Sequence, residues 1–314
     1  MEILFQNLSG WLTLFSIFFF IFFWTKKYPE IKNFLLTAFL LRVICVLLSY
    51  YNIITLPDSY GDADYFEEKA SEFSKNYGLS IIFNFFVYDS LLISKLISFF
   101  YTLFGESKLM AQSISTAFGT ASVYLVYNLC LKIWDNNSAK KAAWVAALFP
   151  TLILYSSYTL REVYIVFFLL IGLQGIIKFL KNYNFFAFLQ VFTCFYILVF
   201  IHGAAAIGGF VFLFYLILGL IKIQLLKLYK FKISLFNLIF ISILSIPFIL
   251  LLTDQFKIPY LPNLFDLSSI IFKANIVITD TASYPSFLII NNNYELFTKI
   301  IIKSIYFLYS PFIW

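Results

Sequence analysis

Charge is scarce in this chain. Asp, Glu, Lys and Arg make up 12% of its 314 residues, where a soluble domain carries roughly 25%. Hydrophobic residues make up 62%. Too few ionic groups remain to solvate a whole surface, which excludes an ordinary soluble domain and points to an integral membrane protein. Histidine occurs once, as His202. The three cysteines, Cys45, Cys130 and Cys194, lie inside apolar runs with neither paired spacing nor a histidine neighbour. They offer no disulfide pattern and no metal site. A formal net charge of +6 would suggest nucleic acid in a soluble protein. Here the placement of charge matters more than its sum, and no nucleic-acid partner is expected. The opening MEILFQNL lacks the basic region and small-residue cleavage site of a secretory signal, so it reads as a retained first helix.

What is present in abundance is long apolar sequence. A spanning helix needs about 20 mostly apolar residues. Nine stretches qualify, at about 3–24, 34–55, 110–133, 140–157, 163–180, 184–201, 204–222, 234–253 and 298–314. Every second connection is basic. Lys26, Lys27 and Lys32 follow the first span, Lys132, Lys140 and Lys141 the third, Lys178 and Lys181 the fifth, and Lys222, Lys227, Lys230 and Lys232 the seventh. Such connections face the cytoplasm. The N-terminus is then outside, and of the carboxylates only Glu30 and Asp135 are cytoplasmic. The expectation is an all-α polytopic protein of about nine spans, a single transmembrane domain over 1–314, in a bacterial inner or plasma membrane.

Two outer segments are long, 56–109 and 254–297, and long connections are usually functional. In the first, apolar residues recur at Phe66, Ala70, Phe73 and Tyr77 with charged residues between them, one face of a helix. Further on, Ser90, Ser94 and Ser98, with Lys95, form a polar stripe, which suits a helix lying in the membrane interface. This loop therefore reads as two interfacial helices preceded by a carboxylate-rich turn. That turn, LPDSYGDADYFEEKA, places Asp58, Asp62, Asp64, Glu67 and Glu68 within eleven residues. Asp62 or Asp64 can cap the following helix, and Asp64 with Glu67 imitates a capping box. A cap explains one aspartate and leaves the others for catalysis.

The run LLRVICVLLSYYNIITLPDSYGDADYFEEKA resembles the start of GT-C glycosyltransferases that use polyprenyl-phosphate sugars, closest to bacterial relatives of family 39 and the protein mannosyltransferases. The family pattern has an Arg in an early helix, then an outer loop of the form D-A-x-x-Y-x-x-x-A. Here that is Asp62, Ala63, Phe66 in place of Tyr, and Ala70. The likeness continues from YTLFGESKLM to TLREVYIVFFLL and covers about residues 38–180. It implies a helical bundle with two interfacial helices and an active site at the outer surface. It also implies a sugar donor linked to polyprenyl phosphate, and a glycan, lipid or protein acceptor. The catalytic base falls by match on Asp62, with Asp64 and Asp58 beside it. A hydroxyl that attacks the anomeric carbon needs such a base, and the departing phosphate needs cations or a metal.

Arg161, at the outer end of its span, can contact that phosphate or can snorkel to the interface. Lys257 and Lys273, in the second outer loop, are further cations. Glu162 adjoins Arg161, and His202 sits at an outer helix end. Arg42 lies deeper in the second span, where a charge needs a partner. No cofactor is assigned, although Asp62 and Asp64 can share a divalent cation. Two other functions compete: a polysaccharide repeat-unit polymerase or ligase, and a lipid-linked glycan transporter or flippase. The first depends on basic residues in a large late loop, which here offers only Lys257 and Lys273. The second favours paired repeats and broken helices, which the sequence lacks.

Cysteine labelling from outside intact cells checks the orientation. A cysteine in place of Lys75 is expected to react and one in place of Ser138 to stay protected, and the opposite pattern refutes the assignment.

Overall fold

The structure, a computed structural model, describes residues 2–53, 61–87, 90–182, 184–203, 206–229, 235–252, 268, 271–272, 275 and 286–309. Every element among them is helical. The chain forms two compact units, Met1–Leu244 and Ser245–Trp314. The first contains α1 (Glu2–Lys27), α2 (Lys32–Tyr50), α3 (Asp62–Tyr77), α4 (Leu92–Phe104), α5 (Lys108–Ile133), α6 (Asn136–Leu148), α7 (Pro150–Ser156), α8 (Arg161–Asn182), α9 (Phe185–Ile201) and α10 (Ala206–Tyr229). Helix α11 (Leu235–Leu252) begins in the first unit, and α12 (Asn293–Tyr309) belongs to the second.

Four stretches, Leu8–Lys27, Pro29–Tyr50, Lys108–Ile133 and Arg161–Lys181, are long and apolar enough to cross a bilayer. Leu92–Phe104, Phe185–Ile201 and Ile207–Lys222 are apolar but shorter. The protein is an integral, multi-spanning helical membrane protein. The expected span at 140–157 is not one helix. It divides into α6 and α7 at Pro150, with Phe149 extended at φ −67° and ψ 116°. Proline cannot donate to the ladder and disfavours helical backbone in the residue before it, yet it suits a first helical position. The expected span 298–314 starts earlier, at Asn293, and residues 310–314 lie outside the described residues.

Helix α5 is the hub of the first unit, with α1, α2, α6, α7 and α8 all packed on it. In lipid there is no water to drive helices together, so small residues that permit close approach take on that work. On α5 these are Ser113, Ser115, Thr116, Gly119 and Thr120, all buried. Thr116 donates to the Ser156 carbonyl of α7 at 3.2 Å, and Ser115 shares a 3.1 Å hydrogen bond with the Tyr164 hydroxyl of α8. A Cβ at Gly119 would collide with Ser156 Cβ and lie 3.1 Å from Arg42 Nε.

Arg42 has the partner that its depth demands. It is 1% exposed, and it donates from Nε to Ser156 Oγ at 2.7 Å and from Nη1 to the Ala38 carbonyl at 2.9 Å. Ser157 returns a 3.3 Å bond to the Arg42 carbonyl. The guanidinium thus ties α2 to α7 beside Gly119.

The helix pair α3–α4 corrects one expectation. The Ser90, Ser94, Ser98 and Lys95 stripe does not face headgroups; all four residues are buried. Ser94 donates to the Phe66 carbonyl of α3 at 2.8 Å, and Lys95 donates to the Val87 carbonyl at 3.0 Å. Ala70 of α3 packs with Ile93, Ile97 and Tyr101 of α4. Small hydroxyl residues here serve helix contact, and the exposed flank of α4 is apolar, with Leu103 and Phe104. In the second unit, Asn275 pairs with the Ile290 backbone at 2.8 and 3.1 Å, and Lys303 of α12 donates to Asn275 at 3.3 Å.

Gly119→Ala is expected to push α7 from α5 and to disturb the Arg42–Ser156 bond. Thermal unfolding in detergent should show a loss of about 1–3 kcal/mol, the usual range for overpacking. A variant as stable as the wild type would mean that α7 yields at no cost.

Candidate functional site

The carboxylate-rich segment begins with a backbone constraint. Gly61 is the N-cap of α3 with φ 106° and ψ −115°, a conformation that glycine alone adopts readily. A Cβ there would meet nothing within 4 Å, so the restriction is torsional. The Tyr65 amide donates to the Gly61 carbonyl at 3.0 Å. No side chain caps the helix. The expectation that Asp62 or Asp64 caps it is therefore corrected. Both lie in the first turn, and their carboxylates face other helices.

Three helix starts converge on them. Asp62 Oδ2 lies 3.8 Å from Arg161 Nη2, at the first residue of α8. Asp64 Oδ1 accepts a 2.8 Å bond from Lys108 Nζ, at the first residue of α5. Lys108 also stands 3.6 Å from Glu67 Oε2. Glu67 Oε1 accepts a 2.6 Å bond from the Thr159 hydroxyl, just before α8. Arg161 Nε is 3.5 Å from Glu162 Oε1. His202 ends α9. Burial pushes its ring pKa down, Arg161 adds to this, and Glu162 opposes it. The N-termini of α5 and α8 add the positive ends of two helix dipoles to the same place.

Five of the candidates read from the sequence thus meet: Asp62, Asp64, Arg161, Glu162 and His202. Arg42 does not join them; it is committed to Ser156 and Ala38 inside the bundle. Asp58, Lys257 and Lys273 lie outside the described residues. Asp62 and Asp64, considered for a divalent cation, each face a cation of the protein. Among the described residues, no group of three or more His, Cys, Asp or Glu side chains is placed to hold a metal ion.

The structure adds Glu67, Lys108 and Thr159, which sequence reasoning passed over as site residues. Glu67 had a signal. It stands four residues after Ala63 and three before Ala70, both buried, so helical spacing sets it on the edge of the packed face. Nothing in the local sequence marks Lys108 or Thr159.

The two ends of this carboxylate row differ chemically. The Asp62 side chain is 67% exposed and sits within reach of a guanidinium, open to an incoming molecule. The Glu67 side chain is 11% exposed. Its burial pushes the carboxyl up to about 7, against the pull of Lys108 and the Thr159 hydrogen bond, with Asp64 adding to the rise. Desolvation is the largest effect, and one hydroxyl on Oε1 with a lysine 3.6 Å from Oε2 does not offset it.

A carboxyl raised in the folded state binds its proton more tightly there than in the unfolded chain. Its contribution to stability is therefore largest at low pH, falls as pH rises from about 4.5 through about 7, and is flat above. Glu67→Gln removes this dependence. The thermal midpoint of the variant minus that of the wild type is expected to grow across that window, measured in detergent. A constant difference would show that Glu67 titrates as an ordinary carboxylate.

The described structure establishes a multi-spanning helical membrane protein with a mixed-charge cluster at the start of α3, α5 and α8. The chain matches no protein-family model, no curated protein and no solved structure.

Proposed function

We propose that the protein is a membrane glycosyltransferase of GT-C type, moving a sugar from a polyprenyl-phosphate donor to a glycan, lipid or protein acceptor at the outer membrane face. The observation that carries this reading is the exposed carboxylate of Asp62 held 3.8 Å from the Arg161 guanidinium. A base and a cation stand side by side, which is what attack on a phosphate-activated sugar requires. The sequence resemblance independently puts the base at Asp62.

In this reading Asp62 takes the proton of the acceptor hydroxyl as its oxygen bonds to the anomeric carbon. The bond from that carbon to the phosphate oxygen breaks, and its electron pair leaves with the lipid phosphate. Arg161 and Lys108 offset the negative charge that develops there. Glu162 and His202 flank Arg161. Helices α3 and α4 lie along the outer interface of a bundle of about nine spans. The orientation rests on charge. Lys26, Lys27, Lys32, Lys132, Lys140, Lys141 and Lys181 all stand at helix ends opposite the carboxylate cluster, the end that faces the cytoplasm.

Asp62→Asn tests the proposal. Asparagine fits the first turn as well as aspartate does, and Gly61 remains the cap, so folding should hold. Loss of a general base typically costs about 10²–10⁴-fold in rate. The expected outcome is a thermal midpoint near wild type with transfer from a synthetic polyprenyl-phosphate sugar reduced by that factor. Asp64→Asn should be milder, because Lys108 already occupies Asp64. Asp58→Asn should be milder still or comparable. An active Asp62→Asn beside an inactive Asp64→Asn or Asp58→Asn would move the base. Full activity in all three would remove glycosyl transfer from this cluster.

A further inference from the structure

Helices α1 and α8 both pack on α5 and leave a groove between them of about 360 Å³, within the roughly 300–1,000 Å³ range of small-ligand pockets. Its walls are Phe20 and Trp24 of α1, Ala117 and Ala121 of α5, and Phe167 of α8. It runs from the middle of α5 toward the lysine-rich end of the unit, away from the carboxylate cluster. The two alanines, four residues apart on one face of α5, keep its floor low and so give it depth. Lying inside spanning segments, the groove opens on lipid.

Two features separate it from a bare apolar face. The first is Thr120, which lines the groove. It is 1% exposed, and its hydroxyl has no hydrogen-bond partner among the described residues. An unmet hydroxyl in an apolar site is costly. Once the side chain rotates toward the groove, an ester oxygen of an acyl lipid can accept from this hydroxyl, and a plain isoprenoid chain has no such atom.

The second is the rim. Trp24 meets Tyr124, another groove residue, edge-on at 5.9 Å and the tilted ring of Tyr28 at 5.6 Å. The Lys27 ammonium lies 5.6 Å from the Tyr28 ring centre, and Lys26 lies 5.6 Å from that of Phe22. Both lysines are exposed and have no carboxylate within salt-bridge range among the described residues. An aromatic collar with cations beyond it is the profile of a headgroup boundary.

We infer that this groove binds an acyl chain of an anionic glycerophospholipid, whose phosphate is held at Lys26 and Lys27. The groove supplies the apolar contact, Thr120 the meeting with the ester region, and the lysines the preference for negative charge. This site is separate from the proposed donor site and does not depend on it.

Native mass spectrometry of the full chain, delipidated in detergent, tests the assignment. The probes are phosphatidylglycerol and phosphatidylcholine with identical acyl chains, and polyprenyl phosphate as a competitor. Wild type is expected to bind phosphatidylglycerol more tightly. Lys26→Gln with Lys27→Gln should weaken that binding roughly fivefold per lysine and leave phosphatidylcholine unchanged. Ala121→Phe should fill the groove and reduce binding of both phospholipids. Should that variant fail to fold, Ala117→Leu serves the same purpose with a smaller side chain. Equal binding of the two phospholipids by wild type overturns the inference. So does a phosphatidylglycerol preference that survives the lysine substitutions, phosphatidylglycerol binding that survives a folded groove-filling variant, or displacement of the bound lipid by equimolar polyprenyl phosphate.

Discussion

Close approach to α5 is the constraint on which the first unit rests. Five helices pack on it, and they do so in a medium that rewards contact only through packing and hydrogen bonds. Gly119 lets Ser156 come near enough for its hydroxyl to meet Arg42. That contact secures α7, and α7 leads directly into Thr159 and Arg161. The placement of the Arg161 guanidinium against Asp62 therefore depends on a missing methyl group elsewhere in the bundle. A buried arginine with neutral partners is expensive, and removing one of those partners would cost more than the bond itself contributes.

The two ends of the unit carry opposite chemistry. At one end the lysines are dispersed over several helix termini, and those of the α5–α8 contact bond to backbone and amide groups. Lys132 reaches Gln174, and Lys181 reaches the Lys132 carbonyl. At the other end charges of both signs are gathered within ion-pair distance on α3, α5 and α8. Dispersed lysines suit a surface that meets water and lipid headgroups. A gathered cluster concentrates field at one point, and the 67% exposure of Asp62 beside the 11% exposure of Glu67 grades that field from open to enclosed.

Much of this was legible in the sequence, for physical reasons that also mark where legibility stopped. Runs of about 20 apolar residues announce spanning helices, so α1, α2, α5 and α8 fall near their expected bounds. Pro150 was visible, yet its effect was a full break, because Phe149 took the extended backbone that a following proline favours. The serine stripe of α4 is plain in the sequence, and its neighbour is α3 rather than the membrane interface. Spacing says which residues share a face, and it does not say whether that face meets headgroups or the Phe66 carbonyl of α3. Asp62 and Arg161 were each singled out, but no local pattern could report that they touch. Lys108 and Thr159 carry no local signal at all; only the three-dimensional meeting of three helix starts gives them a role.

The Glu67–Thr159 hydrogen bond joins residues 92 apart in the chain, and the Asp64–Lys108 bond joins residues 44 apart. A chain made from its N-terminus presents its early parts first, so the partners in these contacts appear in a fixed order. Helix α3 emerges with Asp62, Asp64 and Glu67 lacking the partners that α5 and the start of α8 supply. Lys108 reaches them when α5 is laid down, and Thr159 and Arg161 follow only once α7 has turned at Pro150. Until then Glu67 is an ordinary surface acid, ionised at neutral pH. Its enclosure waits for the segment that leads into α8, so the raised pKa of Glu67 belongs to the assembled unit and not to helix α3 alone.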